Sequence, residues 1–298
     1  MNHCLVIGAS GLIGEHLINS LTATGESPIA TYRTNSIPSA KQLDICHFPQ
    51  VIDFLERFQP KIVFLPAALT NVDYCEINQE LSYMTNVIGV KNVVEASNAV
   101  GARLIYFSTD YIFDGVSGPY DEDSVANPIS EYGRQKLLAE HHIGLASFNY
   151  LIIRTTVVYG WERQGKNFVY RLVKSLSEGT PVKVPVDQIG TPTYAPDLAQ
   201  GAIKFSKTDL LGVINIAGAD CINRYEFALE VARIFNMPQN LIVPVATKEL
   251  NQLAKRPLLA GLKTEKALAL LGTACSSSTE GLVRMSKQKI DSLNFGRK

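Results

Sequence analysis

The chain has 298 residues, of which 46% are hydrophobic and 19% charged, a composition typical of folded globular proteins that excludes a disordered chain. Lys plus Arg and Asp plus Glu both total 28, so the formal net charge is zero, and neither nucleic acid nor an anionic membrane is expected as a partner. Five scattered cysteines without a CxxC spacing favour free thiols over disulfides or a zinc site.

The first residues run directly into the apolar segment Cys4-Leu5-Val6-Ile7, without a basic leader before it. No window approaches the roughly 20 uninterrupted apolar residues of a membrane span. The adjacent His141 and His142 would point about 100° apart on a helix, so they do not predict a metal site. We therefore expect a cytoplasmic protein with no bound metal.

In chain order, the first half alternates short β-rich runs with helical patterns, as in sheets built from βαβ units. Strands are predicted at residues 3–7, 28–32, 61–66, 103–108 and 150–155. Helices are predicted at residues 12–23, 48–58, 79–99 and 131–146. Several strands are continuous apolar runs, typical of a parallel sheet covered on both faces. The sequence therefore predicts an α/β fold with a Rossmann-type, doubly wound parallel sheet.

The alternation ends after about Tyr159. Helices follow at residues 167–178, 225–235 and 263–271, with a Pro/Gly-rich stretch at 179–196. This change predicts a smaller C-terminal α/β domain. We expect residues 1–158 in the sheet domain, with a return to it around 185–217, and residues 159–184 and 218–298 in the second domain.

A glycine-rich turn follows the first predicted strand and opens the first predicted helix. Its sequence is Gly8-Ala9-Ser10-Gly11-Leu12-Ile13-Gly14. Glycines let the backbone approach a pyrophosphate, whose charge then lies on the free N–H groups of the helix start. A tight strand–helix turn is the alternative, but the extreme N-terminal position favours dinucleotide binding.

The end of the second predicted strand indicates which dinucleotide the site binds. An NAD-specific site usually has an acidic residue about 20 residues past the glycines. Here the segment is Ala30-Thr31-Tyr32-Arg33-Thr34-Asn35, which has an arginine and no carboxylate. A guanidinium matches a 2′-phosphate in charge and geometry. NADP(H) is therefore preferred and NAD(H) stays open, with a solvated surface Arg33 as the alternative.

The sequence Tyr132-Gly133-Arg134-Gln135-Lys136 is a YxxxK motif at the start of a predicted helix. Residues four apart share a helix face, so the ammonium of Lys136 is expected to lower the pKa of Tyr132. Such a tyrosine can give a proton to a carbonyl oxygen as hydride reaches the carbon. Ser108-Thr109-Asp110 follows a buried strand, at the sheet edge where ligands bind, and can polarise that carbonyl.

Tyr170 and Lys174 share the YxxxK spacing and serve as an internal control. They lie outside the alternating region, and no strand end precedes them at the corresponding distance. We interpret this second pair as an ordinary amphipathic helix face.

Together these motifs resemble the extended short-chain dehydrogenases, and more narrowly the dTDP-4-dehydrorhamnose reductase family. The resemblance runs through most of the chain. Its pieces are the glycine turn, Ala67-Ala68, Val72-Asp73-Tyr74-Cys75-Glu76, Asn86-Val87, residues 108–115, Pro128, the YxxxK motif, Arg154-Thr155, Val158-Tyr159-Gly160, Lys166-Asn167-Phe168, residues 187–193, Asp197-Leu198-Ala199, Arg256-Pro257 and Leu262.

The resemblance implies a Rossmann domain that binds the cofactor, a C-terminal domain that binds a sugar nucleotide, and a catalytic triad of Thr109, Tyr132 and Lys136. The cofactor residues that it implies, together with the two motifs above, are Gly8, Ser10, Gly11, Leu12, Ile13, Gly14, Arg33, Asp44, Ile45, Ala67, Ala68, Tyr132 and Lys136. The implied substrate residues are Thr70, Asp110, Asn167, Gln188 and Arg256. The structural alternatives are a helix cap for Asn167, a loop hydrogen bond for Gln188 and a surface charge for Arg256.

The expected function is NADP(H)-dependent reduction of the 4-keto group of a nucleotide-linked deoxysugar. Related dehydratases carry a carboxylate pair after the threonine, whereas Tyr111 follows Asp110 here, which argues against dehydration. The alternative is a non-catalytic NADP-binding regulatory subunit that resembles the β subunit of methionine adenosyltransferase. The expected partner is a small nucleotide-sugar substrate, and the oligomeric state is open, with a homodimer as one option.

Overall fold

The computed structural model describes residues 4–272 and 275–288. The strands, in chain order, are β1 (Cys4–Ile7), β2 (Ile29–Tyr32), β3 (Lys41–Gln42), β4 (Ile62–Leu65), β5 (Arg103–Thr109), β6 (Tyr150–Thr155), β7 (Val158–Tyr159), β8 (Val182–Pro185), β9 (Ile189–Gly190), β10 (Thr193–Tyr194), β11 (Gly212–Asn215), β12 (Ile222–Asn223) and β13 (Ile242–Val245). Seven of them form a parallel sheet in the order β11-β6-β5-β4-β1-β2-β3.

The helices, in chain order, are α1 (Leu12–Ala23), α2 (Phe48–Phe58), α3 (Val72–Ile77), α4 (Gln79–Tyr83), α5 (Gly89–Ala99), α6 (Glu131–Ala146), α7 (Phe168–Ser177), α8 (Ala195–Ser206), α9 (Arg224–Ile234), α10 (Glu265–Leu271) and α11 (Ser278–Lys287). Apolar side chains of α2, α5 and α6 pack on one face of the seven-stranded sheet. Those of α1 and α8 pack on the other face. The predicted doubly wound α/β fold is confirmed.

A separate apolar cluster forms a smaller unit after β7. It joins α7, α9 and α11 through side chains such as Leu172, Phe227 and Leu282. Short two-stranded pairs surround it: β7 with β10, β9 with β12, and β8 with β13. Several of these strands lie in the Pro/Gly-rich stretch at 179–196, where their length of two to four residues gives too little periodicity to predict them.

The predicted elements of the first half are present, with small shifts at their ends. The helices at 12–23, 48–58 and 131–146 and the strand at 150–155 have the predicted bounds. The strand predicted at 3–7 is found as Cys4–Ile7, and residue 3 lies outside the described residues. The helix predicted at 79–99 is wrong in its middle, because Met84–Ile88 forms a π-helical turn between α4 and α5.

Two elements that the sequence analysis did not predict return the chain to the main sheet. Helix α8 packs against α1, and β11 pairs with β6 at the edge of the sheet. Both follow the smaller unit's first helix, α7, so the chain passes from one unit to the other more than once. Within the described residues, no helix is long and apolar enough to cross a membrane.

Candidate active site

The carboxyl ends of β1, β4, β5 and β6 open onto a cavity of about 430 Å³, at the edge where ligands bind in open α/β sheets. The cavity is lined by Gly8, Gly11, Leu12, Ile13, Gly14, Pro66, Ala68, Thr70, Val72, Phe107, Ser108, Thr109, Asp110, Tyr111, Tyr132, Lys136, Thr155, Thr156, Val157, Val158, Glu162, Gln164, Lys166 and Asn167. Many of the residues predicted as functional are therefore brought together at one place.

The glycine turn lies at the floor of this cavity and has room only for glycine at two positions. Gly8 has φ +95°, and a Cβ there would come within 2.9 Å of Ala67. A Cβ at Gly14 would overlap the carbonyl oxygen of Gly8. Gly11 precedes α1, and no side chain caps this helix start. The backbone N–H groups and the positive end of the helix dipole are thus available to an anionic group.

A loop between β7 and α7 forms the opposite rim. The Gln164 side chain donates to the carbonyl oxygen of Ser10 at 2.6 Å, which ties this loop to the glycine turn. Asn167 borders the cavity, but its side-chain Oδ1 caps α7 by accepting from the N–H of Tyr170, and its Nδ2 donates to the carbonyl oxygen of Gly160 and to the carboxylate of Glu162. Its role as a helix cap is therefore observed. Glu162 and Gln164 were missed by sequence analysis, because an irregular loop has no periodic signal.

The residues predicted to bind the 2′-phosphate (Arg33) and the adenine (Asp44 and Ile45) do not line the cavity. Arg33 is exposed, and its Nη1 donates to Thr85 Oγ1 at 3.1 Å. Thr85 belongs to the π-helical turn, which therefore orients this arginine. The Asp44 carboxylate accepts from the N–H of Cys46 at 3.0 Å, and Ile45 is buried against Gly89.

Thr109, Tyr132 and Lys136 all line the cavity. Ser130 caps α6 by accepting from the N–H of Gly133 at 3.3 Å, so the YxxxK motif begins on the first turn of the helix. A Cβ at Gly133 would overlap the carbonyl oxygen of Tyr111, so glycine lets α6 approach the end of β5 closely. The fold thereby brings the motif and the threonine to the same wall.

The ionisation of the pair differs from the prediction. Burial raises the pKa of Tyr132, which is 7% exposed, and its hydrogen bond with Thr109 only partly opposes this. In this structure burial thus outweighs the lowering of the Tyr132 pKa that was expected from Lys136. Lys136 Nζ instead donates to the carbonyl oxygen of Phe107 at 2.6 Å. Burial lowers the pKa of Lys136 to about 7, against the opposing effect of Glu140.

Asp110 lies between the cavity and a smaller pocket. The carboxylate accepts from Thr109 Oγ1 at 3.2 Å and from Thr156 Oγ1 at 2.6 Å. Burial raises the pKa of Asp110, although these hydrogen bonds oppose the rise. The carboxylate is thus fixed beside the hydroxyl of Thr109.

The smaller pocket, of about 40 Å³, is lined by Asp110, Tyr111, Val157, Gln188, Ile189, Gly190, Pro192, Ile222, Arg224, Phe227, Pro257 and Ala260. Gln188 donates from its amide to Thr247 Oγ1 at 3.1 Å. Arg224 lies over the ring of Phe168, with Cζ 4.6 Å from the centroid, and burial lowers its pKa. The charges of Arg171 and Arg256 also reach Arg224. Sequence analysis missed Arg224, which begins a helix that was predicted from its apolar periodicity alone.

Arg256 does not line either pocket. Its guanidinium forms an ion pair with Asp73 at 3.0 Å and donates to the carbonyl oxygen of Ala254 at 3.1 Å. Thr70, by contrast, borders the large cavity. The control pair Tyr170 and Lys174 lies on α7 and lines neither pocket. Across residues 4–272 and 275–288, no group of three or more His, Cys, Asp or Glu is arranged to hold a metal ion.

Comparison with known proteins gives a consistent result. Residues 1–290 match the profile of the family described as RmlD substrate binding domain. The spore coat polysaccharide biosynthesis protein SpsK of Bacillus subtilis is 34% identical over 86% of this chain and 87% of its own length. A dTDP-4-dehydrorhamnose reductase of Aggregatibacter actinomycetemcomitans is 29% identical over 91% of this chain and 94% of its own.

Among solved structures, the dTDP-4-dehydrorhamnose reductase of Bacillus anthracis, crystallised in complex with NADP, matches with a TM-score of 0.87. It is 34% identical, and the match covers 96% of this chain and 99% of that chain. Methionine adenosyltransferase 2 subunit beta of Xenopus tropicalis is more distant, at 27% identity over 81% of this chain and 74% of its own.

Proposed function

The chain belongs to the RmlD substrate binding domain family, and on this premise we propose that it is an NADP(H)-dependent reductase of the 4-keto group of a nucleotide-linked deoxysugar. The single observation that carries the proposal is that Thr109, Tyr132 and Lys136 line one cavity together with the glycine turn. We place the reaction in dTDP-rhamnose-type biosynthesis, because reductases of that name are among the relatives.

The shape of the glycine turn fits a dinucleotide. The uncapped start of α1 offers free N–H groups to a pyrophosphate, and the glycines at 8 and 14 let the turn pack closely on its protein neighbours. The exposed guanidinium of Arg33 would bind the 2′-phosphate that distinguishes NADPH from NADH. When bound, NADPH supplies the hydride that adds to C4 of the sugar.

Three side chains of the protein would hold the ketone of the substrate and supply the proton. The hydroxyl of Thr109 would bind the carbonyl oxygen and orient it. The phenol of Tyr132 is protonated at neutral pH and can transfer its proton to that oxygen as the hydride arrives. The ketone thereby becomes an alcohol. Lys136, with a pKa of about 7, is partly charged under these conditions and would stabilise the resulting phenolate.

The smaller pocket would contact the diphosphate part of the substrate through Arg224. Arg224 forms no ion pair among the described residues, so its guanidinium is available to a diphosphate. Gln188 and Asp110 line the same pocket, and Thr70 and Asn167 border the larger one. Arg256 is paired with Asp73, but its charge still reaches Arg224, and we propose that it acts on the smaller pocket in this way.

We also propose the domain division expected from the sequence. Residues 1–158 and 185–217 would form the cofactor domain, and residues 159–184 and 218–298 the substrate domain. Residues 1–3, 273–274 and 289–298 lie outside the described residues. The packing of α8 and β11 on the main sheet supports the return of the chain. A cytoplasmic location is proposed as well, supported by five cysteines that form no disulfide.

The test is direct. Purified protein is mixed with NADPH and a dTDP-4-keto-6-deoxyhexose, and oxidation of the cofactor is followed at the reduced-nicotinamide absorbance band. The proposal predicts turnover that depends on the sugar nucleotide and is lost in Tyr132→Phe. Turnover no faster than that of the variant would contradict it. Stoichiometric co-purification of a partner enzyme, with bound NADP and no turnover, would favour the regulatory-subunit alternative.

A further inference from the structure

A second tyrosine, Tyr106, lies directly beneath the proposed catalytic lysine. It belongs to β5 and is fully buried in the core formed by α2, α5 and α6. The ammonium of Lys136 lies 4.1 Å from the centroid of its ring. We propose that Tyr106 is a positioning residue whose ring face holds the Lys136 ammonium at the cavity wall and favours its charged form. This inference rests on the proposed reductase function.

The surroundings of Lys136 leave the ring as a major source of stabilisation. Lys136 is 2% exposed, and an ammonium removed from water is costly unless other groups replace its hydration. Its hydrogen bond goes to the carbonyl oxygen of Phe107, at 2.6 Å. Among the described residues, no carboxylate forms an ion pair with it. An aromatic face attracts a cation more strongly when the cation is desolvated.

Charged or titratable groups lie on the elements that pack against α6: Asp110 and Tyr111 after β5, Cys75 and Glu76 on α3, Glu80 on α4, Lys91 and Glu95 on α5, and Arg154 on β6. Of the charges on the described residues, Glu140 is the one that shifts the pKa of Lys136. On its own helix, Glu140 favours the charged lysine, but its carboxylate is held by both Nε and Nη2 of Arg154 on β6. Tyr132 lies one turn earlier on the same helix. On β5, the facing group is Tyr106 itself. Because Arg154 largely neutralises Glu140, the ring of Tyr106 and the carbonyl oxygen of Phe107 are left as the groups that favour the cation.

The proposal depends on the aromatic ring of Tyr106 and not on its hydroxyl. The hydroxyl is buried without a hydrogen-bond partner, an arrangement that costs stability. Burial raises the pKa of Tyr106, with smaller contributions from the nearby Tyr132 and Glu140, so the side chain stays a neutral phenol. Two substitutions therefore separate the effect of the ring from that of the hydroxyl. Tyr106→Phe keeps the ring face, whereas Tyr106→Leu removes it and keeps the site apolar.

The expected effect is a shift in the pH at which Lys136 loses its proton. Without the ring, the neutral amine is favoured, so deprotonation occurs about one pH unit lower. If charged Lys136 is the active form, kcat/KM falls as pH rises through the pKa of about 7. In Tyr106→Leu this decline would begin about one unit lower, and the rate at pH 7 would fall about fivefold.

The experiment measures both quantities on the full-length protein. The Nζ resonance of Lys136 is titrated by NMR on ¹⁵N-lysine-labelled protein and assigned with Lys136→Met, and the pH profile of kcat/KM is recorded in parallel. Wild type and Tyr106→Phe should share one midpoint in both measurements, and Tyr106→Leu should be about one unit lower in both. Phe64→Leu is the control, because Phe64 is equally buried in the opposite face of the sheet. It should lose stability without moving either midpoint.

Tyr106→Met is the second non-aromatic variant, for use if Tyr106→Leu does not fold. An unchanged Lys136 midpoint in a folded non-aromatic variant would overturn the proposal, as would an equal shift in Tyr106→Phe. The NMR titration needs no turnover. If the wild-type protein fails to reduce the sugar nucleotide while the Lys136 midpoint still moves as described, the proposed function fails and the role of the ring stands.

Discussion

Replacement of Arg154 by glutamine tests the ion pair beneath the active-site helix. The Arg154 and Glu140 side chains are only 8% and 4% exposed, and Nη2 lies 2.7 Å from Oε2. Arg154 Nη1 also donates to the carbonyl oxygen of Glu122 at 3.0 Å. In Arg154→Gln the Glu140 carboxylate would stay buried without its partner. We expect the free energy of unfolding to fall by about 3–5 kcal/mol, the cost of leaving one buried charge uncompensated.

A matched substitution at an exposed ion pair separates the effect of burial from the effect of removing a charge. Arg163 pairs with Glu15 at 3.1 Å, but its side chain is 59% exposed and that of Glu15 is 21% exposed. Exposed pairs contribute at most about 1 kcal/mol, so Arg163→Gln should cost no more than that. Urea unfolding of wild type and both variants, followed by circular dichroism and compared at equal m values, measures the difference. Equal losses in the two variants would refute the reasoning.

Four further outcomes are expected. Tyr132→Phe should lower kcat/KM about a hundredfold or more while NADPH still binds, because only the transferred proton is removed; a wild-type rate would contradict this. Gly14→Ala should weaken NADPH binding about tenfold or more, measured by cofactor fluorescence, since its Cβ overlaps the Gly8 carbonyl. Gly201→Ala, where the nearest side chain is 3.4 Å away, is the control and should leave binding unchanged. Arg33→Ala should lower the preference for NADPH over NADH about tenfold or more in Kd; an unchanged ratio would leave Arg33 a solvated surface residue. The pKa of Lys136 is lowered from 10.5 to about 7, so between these pH values the unfolded chain binds more protons than the folded protein. The free energy of unfolding should therefore rise with pH across that window, and Lys136→Met should flatten the rise.

Local patterns were sufficient for the sheet and for the motifs that line the cavity. The glycine turn and the YxxxK helix can each be recognised from a few consecutive residues, because turn and helix geometry depend on near neighbours. The apolar strands are equally local, which is why β6 and α6 were predicted with their observed bounds. The ends of parallel strands meet at one edge, so the shared location of Thr109 and Tyr132 also followed from the predicted topology.

Features that depend on long-range contacts were not predictable in the same way. The π-helical turn at Met84–Ile88 inserts one extra residue into an otherwise regular pattern, and only the structure reveals that it orients Thr85 toward Arg33. Arg224 reaches the smaller pocket because β9 and β12 pair across the second unit. The raised pKa of Tyr132 follows from the extent of its burial, which a sequence motif does not specify.

Transfer of isotope tests the central claim most directly. NADPH that carries deuterium at the transferable position of C4 is incubated with the protein and a dTDP-4-keto-6-deoxyhexose, and the product is analysed by mass spectrometry and NMR. The account predicts one deuterium on C4 of the sugar, at a level that falls with Tyr132→Phe. Label that stays in the cofactor, or a sugar nucleotide recovered with its ketone intact, would contradict it.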